Sequence, residues 1–567
     1  MRFKINTILT SFLTALIIGS LVFGVIFSFR NLGLLEDLGL TAYDWFIRLK
    51  PRPAQSNPRI CIINITEDDI RRLGFWPLTD EKLADIIEII NQSKPTAIGV
   101  DIFRDVAVPP GTEKLDSVLN KNHNIIGVMK FGKEGVPPHP ALKKAGRFGF
   151  NDVVVDRGGT VRRGLLYLDD GDNFFYSFGL MLALLDLKKQ GIAPQPDPLD
   201  PDYIKLGRTT IKPFEKNDGC YIQADSRGYQ FLLDFQDRTT AFETYSLSAL
   251  YGGEAGPDKI TDKIVLIGVS AESVKDIFYI PLKNGPLHNQ AVAGIELHAH
   301  IISQILRMGL GESEPVKSLT EIQEYGWIWI WALLGTTIGL GIRSPWYFAA
   351  LTVACLLGLI LITYCFFLYD IWTPFVSPAI SFIISSTLVT AYVSNREKMQ
   401  RAMLMGLFSK HVSHQVAEAI WHQRNEFINN GRPRSQELAV TVMFTDLKGF
   451  TSVAEGMDTQ ALIDWLNTYM ESMVQEIINH DGVVDDYAGD GIKANFGFPI
   501  PRRTQAEIRR DAVNAVKCAL AMDKAVMRLN AEWQKQNLPE VGIRIGIYTG
   551  TAVAGALGAA NRLKYTT

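Results

Sequence analysis

The sequence predicts a multidomain membrane protein with an α/β outer domain, four transmembrane helices and an α+β, ferredoxin-like inner domain. Three observations carry this. Four runs carry no charge and are long enough to cross a bilayer. Apolar strand-like runs alternate with helical ones between the first run and the other three. After the last run, a strand ends on an aspartate and is followed by a helix and a tight hairpin. The 567 residues leave room for several domains, and the net charge of −3 argues against a nucleic-acid binder driven by a basic surface.

The first uncharged run, 5–29, is 25 residues long, and no small-residue cleavage site follows it. It reads as an uncleaved anchor (1–30) rather than a removed signal peptide. Three further runs fill 325–395, separated by Arg343 and Asp370. Trp327, Trp329, Trp331, Trp346 and Trp372 fall near their ends, where an aromatic belt lies. Arg2, Lys4, Arg343, Arg396, Lys398 and Arg401 all fall on one side if the N-terminus is cytoplasmic. Residues 31–324 are then outside the membrane and 396–567 inside, a multi-pass layout in the plasma (inner) membrane. A transporter is disfavoured, because Arg343 and Asp370 sit only at span boundaries.

In the outer domain, 59–65, 95–103, 123–131, 162–170 and 263–270 read as strands. Leu83, Ile86, Ile87 and Ile90 mark an amphipathic helix capped by Thr79. Asp68, Asp69 and Asp101 read as turn or cap residues. His298 and His300, two apart, lie on different helix faces and do not share a metal. Arg162 and Arg163 read as surface-paired. The five cysteines show no metal spacing and read as free thiols, although Cys61 and Cys220 are able to pair in an extracytoplasmic setting. The stretches "INITEDDIRRLGFWPLTDEKLADII", "AIGVDIF", "GFNDVVVDRGGTVRRGLLYL", "DKIVLIGVSAESVKDIFYIPL" and "GIELHAHIISQIL" resemble the CHASE2 family of extracellular sensor domains. The resemblance implies an extracytoplasmic stimulus or ligand without naming it.

Residues 396–437 read as a signalling helix and linker. Met399, Met403, Leu407, Val412, Val416 and Ile420 form a seam that suits either a dimer helix or an ordinary surface helix. From 438, a strand ends on Asp446 and turns through Gly449. A helix over 458–480 is apolar at Leu462, Trp465, Leu466, Tyr469, Met473 and Ile477, and a hairpin turns at Asp490. Asp446 and Asp490 are able to meet in space, and two carboxylates with water and phosphate oxygens suit Mg²⁺ or Mn²⁺.

The stretches "VMFTDLKGFTSVAE", "LNTYMESM", "HDGVVDDYAGDGIKANFGFP", "AVKCALAM" and "VGIRIGIYTGTAVAGALGAANRLKYTT" resemble the class III adenylate/guanylate cyclase catalytic domain over about 438–567. The resemblance implies a head-to-tail homodimer with two ions per site. It implies Asp446 and Asp490 as metal ligands, with Leu447 offering its carbonyl. Backbone amides of Gly449, Phe450 and Thr451 would lie at the triphosphate. The family's adenine-selecting lysine falls on Asp486, with Lys493 three residues beyond Asp490, and its partner position falls on Thr566. Asp486 points to GTP and Thr566 to ATP; the reading favours ATP. The resemblance also implies that the catalytic domain continues past Thr567 with a helix carrying a ribose-binding asparagine and a transition-state arginine. A chain without these is expected to turn over little, which keeps an inactive cyclase-like signalling module as the alternative.

Overall fold

Parallel strands are buried on both faces and so read as unbroken apolar runs. The computed structural model, which describes residues 2–51, 57–235, 242–282, 290–408, 428–429, 432–433, 435–559 and 562–567, contains such a sheet. The chain divides into two units, Met1–Thr390 and Ala391–Thr567.

In the first unit, six parallel strands lie in the order Glu243–Ser246, Ile60–Ile65, Ile264–Val269, Ala97–Val100, Ile125–Met129, Phe148–Phe150. The strands expected around 60, 97, 125, 161 and 264 are all present, the one at Val161–Asp169 in a separate antiparallel sheet. Helix Asp80–Gln92 begins at Thr79, whose side chain accepts from the Lys82 amide. Its Leu83, Ile86, Ile87 and Ile90 are fully buried, each contributing about 1.5–3 kcal/mol. Helices Phe178–Lys188 and Gly294–Leu310 lie together in one apolar cluster of the unit. A Cβ on Gly149 would lie 2.5 Å from the Phe178 amide nitrogen, so glycine lets the first of these helices start directly on the sheet.

Several side chains sit differently from expectation. Arg162 and Arg163 are buried, not surface-paired, with Asp156 2.8 and 2.7 Å away. Asp69 is a cap, as expected: it closes a capping box with Thr66 and accepts from the Leu247 and Ser248 amides. His298 packs edge-to-face on Phe178, and His300 on Phe235 and Phe242, aromatic contacts and not a shared site. The five cysteines are free.

Among the described residues, three helices are long and apolar enough to cross a membrane: Leu13–Asn31, Pro345–Leu368 and Val376–Met399. The fourth expected span corresponds to helix Glu321–Gly341, which is 21 residues long and is not among these three. It opens on Glu321 and Glu324 and is rich in tryptophan and glycine. Glu324 is fully buried and forms an ion pair with Arg30. The helix packs on the first one, with Trp329 Nε1 donating to Ser20 Oγ at 3.2 Å.

The last span starts at Val376, not at 371. Ile371–Trp372 is instead a short strand paired with Lys317–Ser318. Trp372 is therefore not a belt residue; it is buried against Tyr43 and Tyr221, with ring centroids 4.6 and 6.0 Å away. It fits only because residue 219 is glycine, whose Cβ would stand 2.2 Å from the indole. The final apolar helix runs unbroken from Val376 to Phe408, carrying into the stretch expected as a separate signalling helix. Val412, Val416 and Ile420 lie outside the described residues.

A pH dependence follows from Asp276, whose carboxylate lies against Gly294 at the start of helix Gly294–Leu310. Burial, then the charge of Asp101, pushes it up to about 6, and burial pushes Glu296 up to about 7. The folded protein therefore keeps protons that the unfolded chain releases, so stability is present at low pH and lost as pH rises through 6–7. The melting temperature is expected to fall between about pH 5 and pH 8, and the Asp276→Asn, Glu296→Gln double variant to flatten that slope. An unaltered slope in the variant refutes the assignment.

Candidate functional site

In the second unit, a five-stranded antiparallel sheet has the order Val483–Ala488, Gly491–Phe496, Gln436–Lys448, Gly542–Ala559, Arg562–Thr566. The expected strand–helix–strand–strand order is present, and the Gln436–Lys448 strand lies in the middle of the sheet. Period-two alternation sorts its last residues. Met443, Thr445 and Leu447 are buried; Phe444, Asp446 and Lys448 are exposed. Met443 and Leu447 pack with Trp465, Tyr469, Met473 and Ile477 of helix Thr459–Asn479. They also share a cluster with Cys518 and Met522 of helix Gln505–Lys535.

This alternation presents Asp446 to solvent at the end of the central strand. The hairpin turn brings Asp490 beside it: Asp490 Oδ2 accepts from the Leu447 amide at 3.2 Å. A second bond, from the Ile492 amide to Thr445 Oγ1 at 3.1 Å, ties the hairpin to the same strand end. Gly491 permits this approach, since a Cβ there would lie 2.7 Å from the Thr445 carbonyl oxygen. A carboxylate 44 positions beyond Asp446 is thus held by the backbone amide of the very next residue, Leu447. Tyr469 is buried nearby. Burial raises its phenol well above the ordinary value, and the charges of Asp490 and Asp446 add to the effect.

Asp446 faces Arg544 in register on the next strand at 3.6 Å, an exposed pair of little energetic weight. Around them is an open cleft of about 440 Å³, lined in part by Phe444, Asp446, Gly491, Lys493 and Arg544. Gly449 takes the left-handed conformation (φ +85°) and starts helix Phe450–Gly456, placing Phe450 and Thr451 in its first turn.

Asp486 is exposed and accepts from the adjacent Tyr487 amide at 3.0 Å. A register shift between Val484 and Asp486 turns Asp485 inward instead. Asp485 pairs with Lys493 at 2.6 Å, and Thr567 Oγ1 donates to the same carboxylate at 3.2 Å. Asn495 Nδ2 donates to Thr567 Oγ1 at 2.7 Å. The structure thus brings Asp446, Leu447 and Asp490 together, and it gathers Lys493, Asp485 and Asn495 beside the residue that follows Thr566. Asp486 lies opposite Lys493 in register on the neighbouring strand. Lys493 faces Phe444 in register on the central strand, so strand parity was the available signal for its place in the cleft.

The oxygen donors fit a hard divalent cation. Asp490 gives one oxygen to an amide, and Asp446 is paired with the exposed Arg544. Among the described residues no group of three or more His, Cys, Asp or Glu side chains is arranged to hold a metal, so water and substrate oxygens would complete the shell.

Comparison with known proteins gives two family matches. Residues 20–337 match the CHASE2 domain, and residues 433–567 match the adenylate and guanylate cyclase catalytic domain. Over 127 residues the chain is 35% identical to adenylate cyclase 1 of Rhizobium meliloti, covering 22% of this chain and 18% of that one. Over 128 residues it is 31% identical to the terminal-differentiation-specific adenylate cyclase of Dictyostelium discoideum, covering 23% and 6%. A crystal structure of the adenylyl cyclase CyaB from P. aeruginosa is similar at 34% identity and a TM-score of 0.22, covering 24% of this chain and 66% of that one. The chain spans less than a fifth of the length of these two curated relatives.

Proposed function

The chain belongs to the CHASE2 domain family and carries an adenylate and guanylate cyclase catalytic domain, and from that premise we propose a transmembrane receptor cyclase that converts ATP to cyclic AMP and pyrophosphate under an extracytoplasmic sensor. The carrying observation is the hydrogen bond between the Leu447 amide and Asp490, which sets a second carboxylate beside Asp446.

In this reading Asp446 and Asp490 bind Mg²⁺ or Mn²⁺, two ions per site, with the Leu447 carbonyl as a further donor. When bound, the ions lower the pKa of the attacking ribose hydroxyl and neutralise the leaving pyrophosphate. The chain's own part is positional. The Leu447 amide fixes Asp490, the sheet fixes Asp446, and the turn at Gly449, Phe450 and Thr451 offers backbone amides to the triphosphate. Asp486 and Thr566 are the base-reading positions, with GTP as the alternative substrate. Exposed Phe444, Tyr548, Val553 and Leu557 support pairing of two such sheets as a homodimer. The three apolar helices support a membrane location, and a sensor outside with the catalytic domain in the cytoplasm requires helix Glu321–Gly341 to cross as well, because an odd number of crossings must separate the two.

Membranes containing the intact protein, given Mn²⁺ and either ATP or GTP, are expected to form cyclic AMP in preference to cyclic GMP. Predominant cyclic GMP overturns the ATP assignment; formation of neither product overturns the cyclase reading.

A further inference from the structure

The outer domain carries a cleft that the catalytic reading does not use. It lies between the hairpin Val161–Asp169/Phe174–Tyr176 and the small sheet formed by Pro194–Pro196, Ile204–Leu206 and Thr209–Ile211. Its volume is about 610 Å³, within the range of small-molecule sites. Tyr167, Phe174, Tyr176, Tyr203 and Tyr229 line it, together with Asp202 and four prolines.

This is a constructed surface. Along the second hairpin strand, Phe175 packs against Phe131 with centroids 5.4 Å apart, whereas Phe174 and Tyr176, pointing the other way, are 68% and 48% exposed. Tyr167 holds both walls: its ring lies 5.7 Å from Phe174 and 5.1 Å from Tyr229. Tyr229 is itself fixed, accepting from the Ile204 amide at 2.7 Å and donating to the Ile211 carbonyl.

The charge among the lining residues has one sign, with Lys205 on the adjoining strand and Arg227 paired with Asp225 outside the lining. Asp202 lies in the lining and Asp169 ends the hairpin strand; no lysine or arginine is among the lining residues. Lys212, outside it, is paired with Glu215 at 2.7 Å. Burial, then Asp169, Asp202 and Tyr176, hold the Tyr167 phenol above its ordinary value, so this negative field reaches the rings. Aromatic faces with carboxylates and no competing cation select a positive, weakly hydrated group.

We propose that this cleft is the ligand site of the sensor, and that its ligand is a small organic cation of the quaternary or tertiary ammonium class. The ligand's alkylated nitrogen sits against the rings, and Asp202 supplies the counter-charge. Rigid prolines and pre-set rings lower the ordering cost of binding.

The test uses the full-length protein in phosphatidylglycerol nanodiscs, which hold no choline headgroup. Choline and its neutral isostere 3,3-dimethylbutan-1-ol are titrated by calorimetry. Choline is expected to bind at least about tenfold more tightly than the isostere. The Phe174→Ala, Tyr176→Ala double variant is expected to lose about tenfold or more, and Asp202→Asn about threefold or more. Tyr251→Ala, an exposed aromatic elsewhere in the domain, is expected to leave binding unchanged. Equal affinity for the isostere overturns the proposal. So does unchanged affinity in either cleft variant, or absence of saturable choline binding up to about 10 mM. Binding of an oligosaccharide or a proline-rich peptide in place of choline overturns it as well.

Discussion

Asp446→Ala is expected to remove cyclase turnover by a factor on the order of 10³ or more while leaving the fold intact. The two halves of this expectation have separate causes. Asp446 is an exposed strand residue whose ion-pair partner is Arg544, at 3.6 Å and itself exposed. Losing such a pair changes stability by at most about 0.5 kcal/mol. No buried neighbour depends on it. The cost to function comes from the metal shell, which has only two protein carboxylates and loses one. Asp490→Ala is expected to behave differently. It too removes activity, but it also strips the Leu447 amide of its acceptor and loosens the hairpin from the central strand, costing about 1 kcal/mol. Cyclic-nucleotide formation and thermal unfolding, measured on the same preparations, separate the two variants. Turnover within tenfold of the unchanged protein in Asp446→Ala refutes the metal assignment.

The parts of this molecule visible in sequence are those where local pattern and burial agree. The strand at Ile60–Ile65 is a run of apolar residues, the helix at Asp80–Gln92 repeats at i, i+3, i+4, i+7, and Thr79 caps it. Asp446 was found because a strand pattern stops on it, and Asp490 because a Gly-Asp-Gly turn frames it. What stayed hidden depends on partners far along the chain. Trp372 looks like the start of a membrane span because its neighbours are apolar; only Tyr43 and Tyr221, hundreds and scores of positions away, make it a core residue. Glu324 looks like a boundary charge, yet Arg30 takes it into the interior. The inward turn of Asp485 comes from a register shift, which leaves no mark in composition. Arg162 and Arg163 show the same limit: their partners Asp44 and Asp156 give no periodic signal.

That buried network supports the second large expectation: Asp156→Ala is expected to destabilise the outer domain by about 3–5 kcal/mol. Asp156 accepts from Arg162 Nη1 at 2.8 Å and from the Tyr221 hydroxyl at 2.7 Å through one oxygen. Its other oxygen accepts from Arg163 Nη2 at 2.7 Å and Nε at 3.2 Å. Arg162 has a second carboxylate, Asp44, held by two bonds of 2.7 and 2.9 Å. Arg163 keeps only neutral partners: Gln230 Oε1 and the Asp225 carbonyl, each at 2.8 Å, and the rings of Phe214 and Tyr221. Removing Asp156 therefore leaves one buried guanidinium without a bonded counter-charge, the nearby Asp225 carboxylate being exposed and paired with Arg227, and that poorly compensated burial is the cost. Asp44→Ala leaves Arg162 with Asp156 and is expected to cost less. Asp225→Ala, which breaks an exposed pair with Arg227, is expected to cost about 1 kcal/mol or less. Combining Asp156→Ala with Arg163→Met removes the stranded charge together with its partner, and recovery of part of the loss in that double variant identifies the charge, rather than a cavity, as the cause. An Asp156→Ala protein within about 1 kcal/mol of the original refutes the argument. Asp44 stands on helix Glu36–Leu49, which follows directly from the first apolar helix, so the same network that stabilises this domain also fixes it to the chain that leaves that helix.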